Sequence, residues 1–289
     1  MNASIYRAAL VWGILSAPSL LSATEAETAP PPPPAADKNP TREELVKIFE
    51  ARTYDDGAGH TLKYRLFIPK GYTNTTRYSL TVFLHGSGES GDDNASQLIN
   101  NGPGALSHPT TQEKYPSFVL CPQCPKGGQW GYYRGDISPA ETMVAIVRAL
   151  QKEFRIDPDR IYVTGLSLGG MGTWYAIAEH PDLFAAAVPL CGAGDVSRVD
   201  RIRSIPVWAF HGTADKAVPI AGPLRPNFPK TIVGDRDMIQ ALKDAGGNAR
   251  ITEYEKQGHA IWGAAYADPG LMPWLFAQVK PPAAPDGKR

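Results

Sequence analysis

The sequence predicts a doubly wound, mostly parallel α/β sheet with helices on both faces. Three observations carry that expectation. Short, almost wholly apolar runs recur at 80–84, 118–120, 161–163, 185–190 and 207–210, as strands buried on both faces require. Segments of helical periodicity alternate with them. Polar, glycine-bearing loops follow several of the runs, and the carboxyl ends of such strands are where a crevice for a ligand forms.

In chain order, residues 47–54 and 62–68 read as antiparallel strands joined through Asp55-Asp56-Gly57-Ala58-Gly59, a turn-rich segment. A helix follows the second apolar run. Ser138 serves as its N-cap, Pro139 fits its first position and Glu141 completes a capping box. Met143, Ile146, Val147, Leu150 and Phe154 then repeat at helical spacing until Asp157-Pro158, which ends the element. Residues 168–179 form a second helix, stopped at His180-Pro181. Residues 237–245 form a third, closed by Gly246-Gly247. Alternation from Ile251 to Glu255 suggests a last strand.

The flanks differ in composition. Arg7 precedes an apolar stretch at 8–21 and the small residues Leu21-Ser22-Ala23, the pattern of a signal peptide over 1–23 and hence of an exported, periplasmic or secreted protein. Five consecutive prolines mark 24–40 as a linker, since no core can form from them. A catalytic domain over 41–280 and a flexible tail over 281–289 complete the expected organisation. No run after the signal peptide is long and apolar enough to span a bilayer. Twenty-nine basic residues balance 29 acidic ones, so no overall field gathers nucleic acid and a neutral partner is expected. Cys121, Cys124 and Cys191 allow at most one bridge; buried thiols and a single bridge to Cys191 both remain open. No second pair of Cys or His completes a zinc site.

The chemistry concentrates at strand ends. Gly165-Leu166-Ser167-Leu168-Gly169 follows the run at 161–163 and opens the second helix. A strained strand-to-helix turn needs small flanking residues and leaves a serine hydroxyl exposed. Such a hydroxyl is a poor nucleophile without a base. Of six histidines, His60 precedes the parallel strands, His108 sits in a polar loop and His180 lies at the far end of the nucleophile's helix. His85 and His211 read as loop organisers. His259, after the last expected strand, remains as the base. Asp215 follows the run at 207–210 and is preferred over Asp195 as the carboxylate that orients it; Asp235 and Asp237 are assigned to the N-terminus of their helix. The oxyanion donors are expected from the amides of Leu168 and Ser87, with Gly86 as runner-up. Trp130 and Trp262 are candidate walls of an acyl pocket.

With these residues placed, the chain resembles bacterial carboxylesterases related to feruloyl esterases and polyhydroxybutyrate depolymerases, a group also called predicted peptidases, of the α/β-hydrolase fold. The landmarks are Tyr64-Arg65-Leu66-Phe67-Ile68-Pro69, the segment from Leu84 to Asn94, Pro122-Gln123-Cys124, Gly165 through Trp174, Phe210-His211-Gly212, Asp215 with Val218-Pro219, and Gly258-His259 with Trp262 and Tyr266. The resemblance spans 54–280 and implies a Ser167–His259–Asp215 triad. It also implies hydrolysis of small-molecule or polymeric esters through an acyl-enzyme, with no metal or organic cofactor. Two departures concern Ala260, where relatives often carry a polar or acidic residue, and the individual stretch 219–229. Substrate specificity is therefore not carried over. A serine peptidase or acyltransferase on the same scaffold, and a non-catalytic polymer-binding module, are the alternatives.

Overall fold

The computed structural model describes residues 40–131 and 138–280. The signal peptide, all of the linker but Pro40, and the tail lie outside the described residues.

Ten strands are formed in this part of the chain: β1 Glu50–Asp55, β2 Thr61–Phe67, β3 Tyr78–Leu84, β4 Ser117–Pro122, β5 Ile156–Leu166, β6 Ala186–Leu190, β7 Ala193–Asp195, β8 Val207–Gly212, β9 Ile232–Gly234 and β10 Ala249–Tyr254. The helices are α1 Arg42–Ile48, α2 Asn101–Ser107, α3 Pro109–Lys114, α4 Pro139–Glu153, α5 Leu168–Glu179, α6 Val199–Ile202, α7 Asp235–Asp244, α8 Trp262–Tyr266 and α9 Leu271–Ala277. Eight strands make one sheet in the order β1-β2-β4-β3-β5-β6-β8-β10. The pairs β1–β2 and β2–β4 are antiparallel, and every later pairing is parallel.

Neighbouring residues along a strand point to opposite faces, and both faces here are apolar. Ile161 and Val163 join one core cluster with Met143, Trp174 and Met238. Tyr162 joins the other, with Leu45, Leu106 and Leu275. The sheet is thus covered on both sides, as the runs require. Every residue of β4, β6 and β8 is buried.

Several boundaries differ from the sequence reading. Residues 47–49 end a helix instead of beginning a strand. Thr41 caps α1, its side chain accepting from the Glu44 amide while the Glu44 carboxylate reaches back to the Thr41 amide. Glu141 completes no capping box, because its carboxylate pairs with His180 at 2.9 Å. Ser138 caps α4 alone, through the Ala140 amide. That helix stops at Glu153, and Asp157-Pro158 lies inside β5. The antiparallel pair β7–β9 was not foreseen. No helix among the described residues is long and apolar enough to cross a membrane.

Candidate active site

Ser167 is the single residue between β5 and α5, at φ 54 and ψ −115, a sparsely populated conformation that costs on the order of 1–3 kcal/mol. Its surroundings impose it. The Ser167 amide donates to the Leu190 carbonyl at 2.9 Å, and a Cβ on Gly169 would lie 1.9 Å from the Leu84 carbonyl oxygen. Only glycine lets the helix start this close to β3. A serine at an N-cap ordinarily folds its oxygen onto the first turn. Here it caps nothing, and Oγ lies 2.8 Å from His259 Nε2. The first turn of α5 receives no cap from the Ser167 side chain, and the N-terminus of a helix favours negative charge.

His259 and Asp215 arrive on the loops after β10 and β8. Asp215 Oδ2 lies 2.7 Å from His259 Nδ1, while its Oδ1 accepts the amides of Ala217 and Val218 at 2.8 and 3.0 Å. Burial alone would raise the Asp215 carboxyl, but bonds from His211, His259 and Val218 hold it well below the usual carboxylate range. An ionised carboxylate can only accept, which places the imidazole hydrogen on Nδ1 and leaves Nε2 bare towards Ser167. The arrangement is chemically that of a base ready to take a hydroxyl proton.

Two residues do more than their expected roles: His211 organises the loop after β8 through the Val218 carbonyl but also meets two carboxylates, and Asp235 does more than favour a helix terminus. Both are fully buried. His211 Nδ1 lies 2.8 Å from Asp235 Oδ2, and Nε2 lies 3.0 Å from the Val218 carbonyl and 3.2 Å from Asp215 Oδ2. Burial pulls the His211 imidazole down, yet its bonds to Asp215 and Asp235 outweigh this and raise it to about 10. Cys191, His211 and Asp215 present possible ligand atoms within 4.8 Å of one another. Both His211 nitrogens already face oxygen acceptors and burial pushes the Cys191 thiol up, so the group reads as a hydrogen-bond cluster.

A pH dependence of stability follows. His211 is raised above its unfolded value of 6.5, so its stabilisation is complete below 6.5 and is lost as pH rises towards about 10. Asp215 is depressed, so its share is present above 3.8 and is lost as pH falls below it. Burial lowers His85 to about 4, so stability also falls as pH drops from 6.5 towards 4, and melting temperature is expected to peak near 6.5 and to decline on the alkaline side. His211→Gln is expected to flatten that decline; an unchanged slope in a melting series would count against the assignment.

On the other side of Ser167, the turn after β3 is organised by His85. The Cys124 amide donates to His85 Nε2 at 2.9 Å, so the ring hydrogen sits on Nδ1 and is donated to the Gly86 carbonyl at 2.6 Å. Burial lowers this histidine to about 4 and keeps it neutral. In a trans peptide the N–H points opposite to the C=O, so fixing the Gly86 carbonyl also fixes the direction of the Ser87 amide. Ser87 and Leu168 line one cavity of about 190 Å³ together with Ser167.

Trp130 does not line that cavity. It is fully buried, its ring lies against Gly172 of α5, and its Nε1 donates to the His85 carbonyl at 3.0 Å. Trp130→Phe is expected to lower stability by about 2 kcal/mol through the orphaned carbonyl and the void, with KM for a short ester little changed. A large KM shift without loss of stability would restore the wall assignment. Trp262 is half-buried and packs edge-on against the His259 ring at 5.6 Å. The described walls are instead Gln129, Met171, Val218, Leu224, Arg225 and Phe228.

Residues 129–219 match the model of the prolyl oligopeptidase family. A solved thermostable esterase superposes with a TM-score of 0.73 at 40% identity, covering 81% of this chain and 64% of that one. The chain has the α/β-hydrolase fold. A bifunctional acetylxylan esterase/xylanase of Neocallimastix patriciarum is 34% identical over 70 residues, 24% of this chain and 10% of that protein. Feruloyl esterase B of Piromyces equi is 29% identical over 171 residues, 54% of this chain and 30% of that protein. This α/β-hydrolase chain spans less than two thirds of the length of each. The motifs resemble the same esterase group that these comparisons return.

The wall residues were not found from sequence. Met171 had a usable signal, lying one helical turn beyond Ser167 on α5. Leu224, Arg225 and Phe228 had only their place in the stretch 219–229 already marked as individual to this chain. The three cysteines are free and buried, which decides between the two readings left open.

Proposed function

We propose that this chain is an exported serine carboxylesterase that cleaves esters through an acyl-enzyme on Ser167. The observation that supports it most is the unbroken row Asp215 Oδ2, His259 Nδ1, His259 Nε2, Ser167 Oγ, with contacts of 2.7 and 2.8 Å. In this reading Ser167 Oγ attacks the ester carbonyl while His259 Nε2 takes its proton. The Leu168 and Ser87 amides receive the negative charge of the tetrahedral intermediate, a contribution of about 3 kcal/mol for each donor. His259 then returns the proton to the leaving alcohol, and the same base activates the water that frees the acid. Relatives named for acetylxylan and feruloyl esters favour acyl groups carried on plant polymers as substrates, with short-chain polyesters next. The apolar stretch at 8–21 supports export through a signal peptide over 1–23.

A fluorophosphonate probe tests the reading directly. The purified chain should become labelled once, on the peptide that carries Ser167, and lose p-nitrophenyl acetate hydrolysis in parallel. Labelling elsewhere, or none, would defeat it. The match to the prolyl oligopeptidase family favours a second reading, a serine peptidase. Turnover of peptide anilides faster than of p-nitrophenyl esters would select it.

A further inference from the structure

The hydrogen bonds around His211 leave its protonation little freedom. A carbonyl oxygen only accepts, so the Val218 contact at 3.0 Å requires a hydrogen on His211 Nε2. On the other side, Asp235 Oδ1 takes the Trp174 indole N–H at 2.6 Å, and Oδ2 takes the Gly192 amide at 2.8 Å. Asp235 is arranged as an acceptor throughout, which assigns the hydrogen on His211 Nδ1 to the imidazole as well. His211 is then an imidazolium enclosed between two carboxylates.

We propose that His211 and Asp235 are a positioning pair for the reaction: His211 fixes the Asp215 carboxylate against His259, and Asp235 returns the negative charge that His211 cancels. The proposal rests on the esterase reading of Ser167. The reason for a pair is electrostatic. Asp215 beside a lone buried cation would be neutral as a unit and would offer His259 much less stabilisation when it takes the serine proton. With Asp235 present the buried set carries one negative charge before that transfer and none after it. A dry interior rewards the second state.

The pair also connects elements. Asp235 opens α7 and holds Trp174 of the nucleophile helix, while His211 ends β8 and reaches the loop that carries Asp215. The base and the nucleophile are therefore registered through one buried carboxylate. The other ionisable groups near His211 are the Cys191 thiol at the end of β6, His259 beyond Asp215, and Glu253 on β10, which is itself paired with Arg236 at 2.6 Å.

Two measurements test the proposal. The first follows kcat and kcat/KM for p-nitrophenyl acetate against pH in the wild-type chain, His211→Gln and Asp235→Asn. Removing the cation lets His259 hold its proton more tightly, so the acid limb of kcat/KM in His211→Gln should move up by about one pH unit. Asp235→Asn should lower kcat about tenfold or more with KM changed less than about twofold. A purely structural pair would lower stability and leave the limb where it was, and that result overturns the proposal. The second needs no variant to be active. In ¹⁵N-histidine-labelled wild-type protein, one ring should keep both N–H protons to about pH 9, and its signals should be the ones missing in His211→Gln. A His211 ring with a single proton at neutral pH overturns the proposal. A wild-type chain that hydrolyses no ester overturns the esterase reading and this role with it, whereas hydrolysis with an unmoved limb overturns the role alone.

Discussion

Ser167→Ala is expected to lower kcat on p-nitrophenyl acetate by about 10⁵- to 10⁶-fold. The Ser167 oxygen is the group 2.8 Å from the bare nitrogen of His259, and alanine leaves that nitrogen with nothing to deprotonate but water. The residual rate should remain above the uncatalysed one, because the Ser87 and Leu168 amides are backbone groups that the substitution does not touch. The fold should survive. Ser167 makes no helix-capping bond, and alanine at φ 54 carries a strain similar to that of serine. A melting temperature near the wild-type value with the activity gone is therefore the expected pair of results. Retention of more than about a hundredth of the wild-type kcat would place the nucleophile elsewhere.

Asp215→Asn should cost about 10⁴-fold in kcat at neutral pH, for a reason visible in its hydrogen bonds. The amides of Ala217 and Val218 both donate to Oδ1, so the asparagine oxygen must occupy that position. Its NH₂ then faces His259 Nδ1, donates to it, and forces the ring hydrogen onto the nitrogen that faces Ser167. The base becomes a donor towards the hydroxyl it should deprotonate. The same NH₂ also meets the His211 Nε2 hydrogen across a contact that is 3.2 Å in the native chain. Steady-state kinetics across pH would check this; a loss smaller than about tenfold would mean that Asp215 does not set the tautomer.

What could be read in advance was local. Ser167 announces itself through a strand, a glycine on either side and a helix, all within a dozen residues. Asp215 and His259 were reachable because each follows a strand whose apolar run or alternation is written in contiguous sequence. Asp235 was not, since an aspartate at the start of a helix looks like any favourable terminal charge. Its enclosure comes from β8, α5 and the Gly192 turn closing around it, and those contacts lie 24 to 61 residues away. Trp130 misled in the opposite sense. It follows a strand end, where binding residues gather, but Gly172 opens a slot that draws the indole into the core. Helix α1 carries its signal locally, in Thr41 followed by Glu44. The apolar residues Leu45, Val46, Ile48 and Phe49 match a strand period nearly as well as a helical one. Strands β7 and β9 have three residues each, too few to show any period.

The segment from β8 to α7 joins two properties that proteins often keep apart. It begins with Asp215 and ends at Asp235, both buried side chains. Between them it carries Val218, Leu224, Arg225 and Phe228 of the cavity wall. The stretch is pinned by β9 on β7 and by the Leu224 amide on the Ile232 carbonyl at 2.8 Å. It is in effect a cassette with fixed ends. Exchanging residues 224–230 against those of other proteins of the α/β-hydrolase fold changes what the wall presents to a ligand while both anchoring carboxylates stay in place. Laboratory evolution of a new preference at this cavity has its natural target in those seven positions, far from the Ser167 turn in sequence and adjacent to it in space.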